Sequence, residues 1–183
     1  MTEIHIFDFD GTLFKSPHPP KGWTKGWWGN TRSLTPPCVP EKVSSDWWNR
    51  PVANELRKSM RRPDVVTIVM TGRLEKFRKR ISKLLASAGL TPDELMLNPG
   101  GVGTAQYKKQ HMRWLFSQYP TLRAVHFWED RHDHLKEFEK YALRMGYNFV
   151  PHPVRNVSNP PECEPSLDES MSDVVSRIEA MYG

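Results

Sequence analysis

Residues 4–13, Ile4-His5-Ile6-Phe7-Asp8-Phe9-Asp10-Gly11-Thr12-Leu13, constrain this chain more than any other stretch. A mostly apolar run reads as a buried strand, and it stops on two acids set two residues apart. In extended chain such residues share a face, so both carboxylates point the same way while Phe9 turns into the fold. Two unpaired acids at that distance repel, and each raises the other's proton affinity. A divalent cation removes the conflict; magnesium in particular takes few carboxylates and keeps room for phosphate and water. Gly11 lets the chain turn sharply. A plain surface turn would not be preceded by four largely apolar residues.

The same grammar recurs downstream. Val65–Met70 is a β-branched, almost wholly apolar run, typical of a strand buried on both faces. Shorter runs follow at 95–97, 124–128 and 147–150. Between them the helical period places apolar residues on one face of 52–60, 75–88, 104–118 and 133–145, with Gly89 and Gly146 as stops. Strands alternating with helices predict an α/β fold, a parallel sheet with helices on both faces. In such sheets, ligand sites lie at the carboxyl ends of strands.

One stretch breaks the pattern. Residues 14–50 hold many prolines and glycines and five of the seven tryptophans, Trp23, Trp27, Trp28, Trp47 and Trp48. This reads as an ordered, cap-like insertion after the first strand, expected to overhang the site. Its aromatics, Trp27 and Trp28 foremost, stand beside Lys15, Lys21, Lys25 and Arg32, a composition suited to stacking bases of a single strand. The competing reading makes them a small satellite core for the insertion. The domain is expected over 1–150, a Pro-rich linker over 151–170 and a short docking helix over 171–183.

Lys plus Arg exceeds Asp plus Glu, 26 to 21, and the excess gathers in residues 57–83. Such a bias attracts anionic partners or merely solvates helix faces. No apolar run reaches the roughly 20 residues of a membrane span. The N-terminus shows no basic-then-apolar signal, so a cytoplasmic protein without a membrane segment is expected. Cys38 and Cys163 lack ligand-like spacing; a single bridge stays open, but neither a disulfide framework nor a zinc site has support.

Three further segments sit at predicted strand ends or helix starts. Thr71-Gly72-Arg73 follows the second strand and offers a hydroxyl and backbone N–H groups to phosphate oxygens. Thr104-Ala105-Gln106-Tyr107-Lys108-Lys109 opens a helix, where one ammonium near paired acids would keep them ionised. Glu129-Asp130-Arg131-His132-Asp133 again ends an apolar strand in acids.

These four elements, in this order, resemble the haloacid-dehalogenase-like (HAD) phosphohydrolases over residues 3–150. The resemblance implies a Rossmannoid sheet, Mg2+ as cofactor, Asp8 as nucleophile and Asp10 as general acid/base. It also implies Thr71 as phosphoryl contact, Lys108 as the motif lysine, and Asp130 completing the metal site with Asp8 and the main-chain carbonyl of Asp10. Gly11, Thr12, Gly72, Arg73 and Arg131 are the accompanying candidate substrate contacts. Thr-Gly-Arg and Glu-Asp-Arg are similar to motifs of the phosphatase domain of polynucleotide kinase-phosphatases. The Trp-rich insertion, Thr-x-x-Tyr-Lys and Glu-Asp-Arg-x-x-His resemble the Swiss army knife RNA-repair-like branch. Glu129 and Asp133 stay open as metal ligands, and Lys109 and Lys79 as alternatives to Lys108.

The function expected is phosphomonoester hydrolysis through an aspartyl-phosphate, with a phosphorylated nucleic-acid end as substrate. A nucleotide or small-metabolite phosphatase is the second enzymatic reading. A non-catalytic phosphate- or RNA-binding module is the third, and the paired acids argue against it, since binding alone does not need them.

Overall fold

The computed structural model describes residues 2–155, which fall into two compact units. The first takes the chain up to Lys15 and again from Lys42. Its centre is a parallel five-stranded sheet: β1 (Thr2–Phe7), β2 (Val65–Leu74), β3 (Glu94–Asn98), β4 (Leu122–Glu129) and β5 (Phe149–Pro153), in the order β3-β2-β1-β4-β5. The helices are α1 (Arg50–Ser59), α2 (Arg78–Ser87), α3 (Thr104–Gln118) and α4 (His132–Arg144).

Alternation along β1 sorts the two faces. Ile4 and Ile6 join Ile68, Met70, Val125 and Phe127 in a core closed by Tyr107, Met112, Leu115 and Phe116 of α3 and Leu135 and Phe138 of α4. The other face carries His5 and Phe7 and meets α1, where Ser59 reaches the His5 ring. Chain order runs outward from β1 through β2 to β3 on one side. On the other it runs from β4 to β5, so the direction switches between β1 and β4. That switch point is where open α/β sheets hold their ligands.

Two strands outrun the sequence reading. β2 extends from Met70 through Leu74, bringing Thr71 and Arg73 into the strand with fully or nearly buried side chains. β5 runs beyond Val150 to Pro153, paired with Phe127–Glu129. It is an edge strand, where proline's missing N–H costs no ladder bond. The expected linker from residue 156 on and the 171–183 helix lie outside the described residues. Among these residues no helix is long and apolar enough to cross a membrane.

The tryptophan-rich stretch is divided. Trp47 and Trp48 belong to the first unit, packing on Phe14 at 5.6 and 5.1 Å between ring centroids. Phe14 in turn stacks on Phe9, which anchors the turn after β1. Trp23, Trp27 and Trp28 belong to the second unit, described here over Ser16–Glu41. There Trp27 is buried and donates its indole N–H to the Pro17 carbonyl, and Trp23 packs edge-on against it. Trp28 stays 45% exposed. Cys38 is disulfide-bonded, the single bridge that the sequence left open.

Candidate active site

β1 stops at Phe7, and the next residues form a tight turn: the Leu13 and Phe14 N–H groups both donate to the Phe9 carbonyl. Asp8 leaves the strand on the face of Ile4 and Ile6, the face that α3 covers. There Lys108 Nζ donates to Asp8 Oδ1 at 2.6 Å and to Glu129 Oε2 at 2.7 Å. All three side chains are nearly or fully buried, and the ammonium also lies over the Phe127 ring. Lys109, the next residue, pairs instead with Glu137 of α4, and Lys79 is exposed on α2.

Asp130, just past β4, completes the acidic group. Carboxylate oxygens of Asp8, Glu129 and Asp130 lie within 4.8 Å of one another. Asp130 is fixed by Thr12, whose hydroxyl oxygen accepts from the Asp130 N–H at 3.1 Å. Asp133 is exposed in the first turn of α4, outside this group. Arg131 points its side chain outward, while its N–H donates to Glu129 Oε1.

Three carboxylates share one buried ammonium, and the electrostatics show it. Burial works against Lys108, yet Asp8 and Glu129 hold it above the ordinary lysine range. Burial likewise opposes ionisation of Glu129, but the charge and hydrogen bond of Lys108 bring it below the usual range. Asp8 goes the other way. Burial raises it well above ordinary carboxylates, Lys108 pulls back, and Glu129, Asp130 and Asp10 add to the rise. Asp130 is pushed up to about 7 by burial and by Glu129. Asp8 and Asp130 therefore want more positive charge than the protein supplies. Every donor in the group is a carboxylate oxygen, which fits a hard cation such as Mg2+.

The two acids of the first motif do not share one counter-charge. Asp10 turns to β2, where Arg73 Nε and Nη2 donate to its carboxylate at 2.8–3.1 Å and the Thr71 hydroxyl donates at 3.3 Å. Thr71 also accepts from the Arg73 N–H. Arg73 is 2% exposed: its guanidinium grips Asp10 rather than standing open to a substrate. Neither this pairing nor the grip of Glu129 on Lys108 was read from the sequence. The usable signal was the i+2 spacing of Thr71 and Arg73 on a strand that continues past Met70.

Two glycines permit close approaches. Gly11 has φ +72°, and a Cβ there would stand 2.5 Å from Asp130 Oδ2. Gly72 packs against Thr104 at the start of α3, where a Cβ would meet Thr104 Oγ1 at 2.5 Å. Gly11→Ala is expected to cost at least ~1–2 kcal/mol for the left-handed backbone alone. Urea unfolding reads the loss. The loss should exceed that figure, because Asp130 must also move aside.

Residues 11–175 match the family described as HAD domain family 1 in Swiss Army Knife RNA repair proteins, a span that opens just after Asp10. An uncharacterized protein of Saccharomyces cerevisiae is 28% identical over 173 residues, covering 77% of this chain and 37% of its own length. Among solved structures, a chain of a Pnkp1/Rnl/Hen1 complex superposes with a TM-score of 0.52 at 18% identity, over 85% of this chain and 47% of that one. The HAD domain of the effector Lem4 from Legionella pneumophila superposes with a TM-score of 0.51 at 12% identity, over 96% and 93%. At those identities the structures show the fold, and the chain spans well under half the length of the yeast relative. The family match covers most of the chain, and the chain belongs to the HAD domain family of Swiss Army Knife RNA repair proteins.

Proposed function

We propose that this domain hydrolyses phosphomonoesters, with Asp8 as the nucleophile and Mg2+ as the cofactor. One observation carries the reading: Asp8, at the sheet's switch point, is held by Lys108 at 2.6 Å with Asp130 beside it. Asp8 attacks phosphorus, forming an acyl phosphate as the ester P–O bond breaks. Asp10 supplies the proton taken by the departing alkoxide. It then takes a proton from the water that attacks phosphorus and releases phosphate, restoring Asp8. Arg73 and Thr71 hold Asp10 in place; proton donation requires Asp10 to loosen from the guanidinium. Lys108 orients Asp8 and offsets charge on the phosphoryl oxygens. Mg2+, held by Asp8 and Asp130, would neutralise the phosphate dianion so that an anionic nucleophile can approach it.

Chelation is therefore expected to stop phosphate release and Mg2+ to restore it. Full activity in excess chelator, or rescue by Zn2+ alone, would contradict the reading.

For the substrate we take a phosphorylated nucleic-acid end. The family description and the overall positive charge favour it. The basic run at 57–83 favours it less than its composition promises. Lys58 pairs with Glu55, Arg62 with Asp64 and Glu3, Arg73 with Asp10 and Arg78 with Glu75. Exposed Trp28 is the candidate for stacking a base, and Trp28→Ala should weaken oligonucleotide binding. An oligonucleotide contacted at several phosphates should bind more weakly as salt rises, with a log–log slope of about -0.7 per phosphate neutralised. A flat salt response, or faster hydrolysis of sugar phosphates than of 3′- or 5′-phosphorylated oligonucleotides, would replace this substrate with a small metabolite.

A further inference from the structure

The sheet face opposite α3 and α4 carries a second polar group that the proposed reaction does not use. Register sets His5 of β1 beside His126 of β4, and Trp128 of β4 beside His152 of β5. The His5 and His126 rings are 4.5 Å apart, and His152 stacks on Trp128 at 4.0 Å. Glu3, two residues before His5 on the same face, brings a carboxylate. Ligand atoms of Glu3, His5 and His126, one from each, lie within 4.8 Å of one another.

The hydrogen bonds around His5 favour one tautomer. Ser59 has one hydroxyl proton, which its Oγ donates to the Glu55 carbonyl at 2.8 Å. Its oxygen can then only accept from His5 Nδ1, 2.7 Å away. With that assignment Nδ1 bears the hydrogen, and in neutral His5 the Nε2 lone pair is bare. That nitrogen is buried, in a residue 6% exposed, and makes no hydrogen bond. It faces Glu3 Oε2 at 3.5 Å, so two acceptors confront each other in a desolvated place. Arg62 already holds that Oε2 at 2.8 Å from one side, whereas a bare His5 Nε2 costs free energy unless a cation stands between it and Glu3.

We propose that Glu3, His5 and His126 form a binding site for a divalent transition metal of the Zn2+ type, separate from the oxygen-only group around Asp8. Two imidazoles and one carboxylate are the donors that borderline metals prefer over Mg2+. The outer contacts fit as well. Ser59 orients His5 through Nδ1, and His126 Nδ1 shares a proton with His152 Nε2 at 2.9 Å. Ligating histidines commonly use the other ring nitrogen in this way. Glu3 is also approached by Arg62 at 2.8 Å and Arg123 at 3.8 Å. Arg62 keeps Asp64 at 2.7 Å as a partner if the metal takes its place on Glu3. Bound metal would tie β1 to β4 at the amino-terminal part of the sheet, away from Asp8.

The test uses the whole chain, stripped with chelator and returned to saturating Mg2+, then titrated with Zn2+ by calorimetry and with Co2+ by visible absorption. One equivalent is expected to bind in the presence of Mg2+. His126→Gln, confirmed folded by circular dichroism, should weaken that equivalent by at least about tenfold, and Asp130→Asn should leave it intact. Copper EPR of the unaltered protein should show nitrogen couplings from two imidazoles, a readout that needs no variant. No Zn2+ uptake under Mg2+, unchanged affinity in folded His126→Gln, or an oxygen-only copper signal each overturns the site.

Discussion

Asp8→Asn is expected to lower turnover by on the order of 10^4 or more, the scale on which enzymes lose a covalent nucleophile. The amide has the shape of the carboxylate and still accepts from Lys108, so the turn after β1 should survive. Stability should not fall with activity. The group holds Asp8, Glu129 and Asp130 against one ammonium, and burial and neighbouring acids raise Asp8 well above the usual range. Removing one negative charge relieves that crowding. Thermal unfolding should therefore show an unchanged or higher midpoint in Mg2+-free buffer. An Asn variant that stays active removes Asp8 from the chemistry. One that unfolds makes Asp8 structural.

Lys108→Met is expected to damage the fold itself. The ammonium is 1% exposed and sits between two buried carboxylates. Methionine fits the volume but leaves Asp8 and Glu129 facing each other without a counter-charge. Breaking a buried ion pair from one side costs about 3–5 kcal/mol. Urea unfolding without Mg2+ should show a loss of that size. Adding Glu129→Gln to the Met variant should recover a good part of it, because one of the stranded charges is then gone. A loss below ~1 kcal/mol, or no recovery in the double variant, would mean that Lys108 does not hold the group together.

Much of this site could be read from the chain because its residues mark the ends of apolar runs. Asp8 and Asp130 follow β1 and β4, and strand alternation alone puts Asp8 on the face that α3 covers. The choice between Lys108 and Lys109 stayed open in the sequence, and helical spacing accounts for which of them is buried. Lys108 shares a stripe with Met112, Leu115 and Phe116, all buried, whereas Lys109 is followed four residues later by Arg113. The partners of Asp10 were harder to see. They lie on β2, past the point where its apolar run stops, where the pairing with β3 is irregular and passes from Thr71–Leu97 to Leu74–Asn98. Tryptophan content misled in one respect. A count of aromatics does not distinguish Trp47 and Trp48, which pack on Phe14 in the first unit, from Trp23, Trp27 and Trp28 in the second. The histidine group stayed invisible because strands β1, β4 and β5 bring His5, His126 and His152 together from 147 residues of chain, with no local spacing to betray it.

The central claim is that phosphate passes through a covalent bond to Asp8, and chemical trapping tests it most directly. If the account holds, the Mg2+-loaded protein, mixed with a phosphorylated oligonucleotide or a reactive aryl phosphate and quenched with borohydride, should have an acyl phosphate reduced to an alcohol. Peptide mass spectrometry should then find homoserine at position 8, dependent on substrate and absent from Asp8→Asn. Turnover with no modification at position 8, or with the label on another residue, would contradict the account.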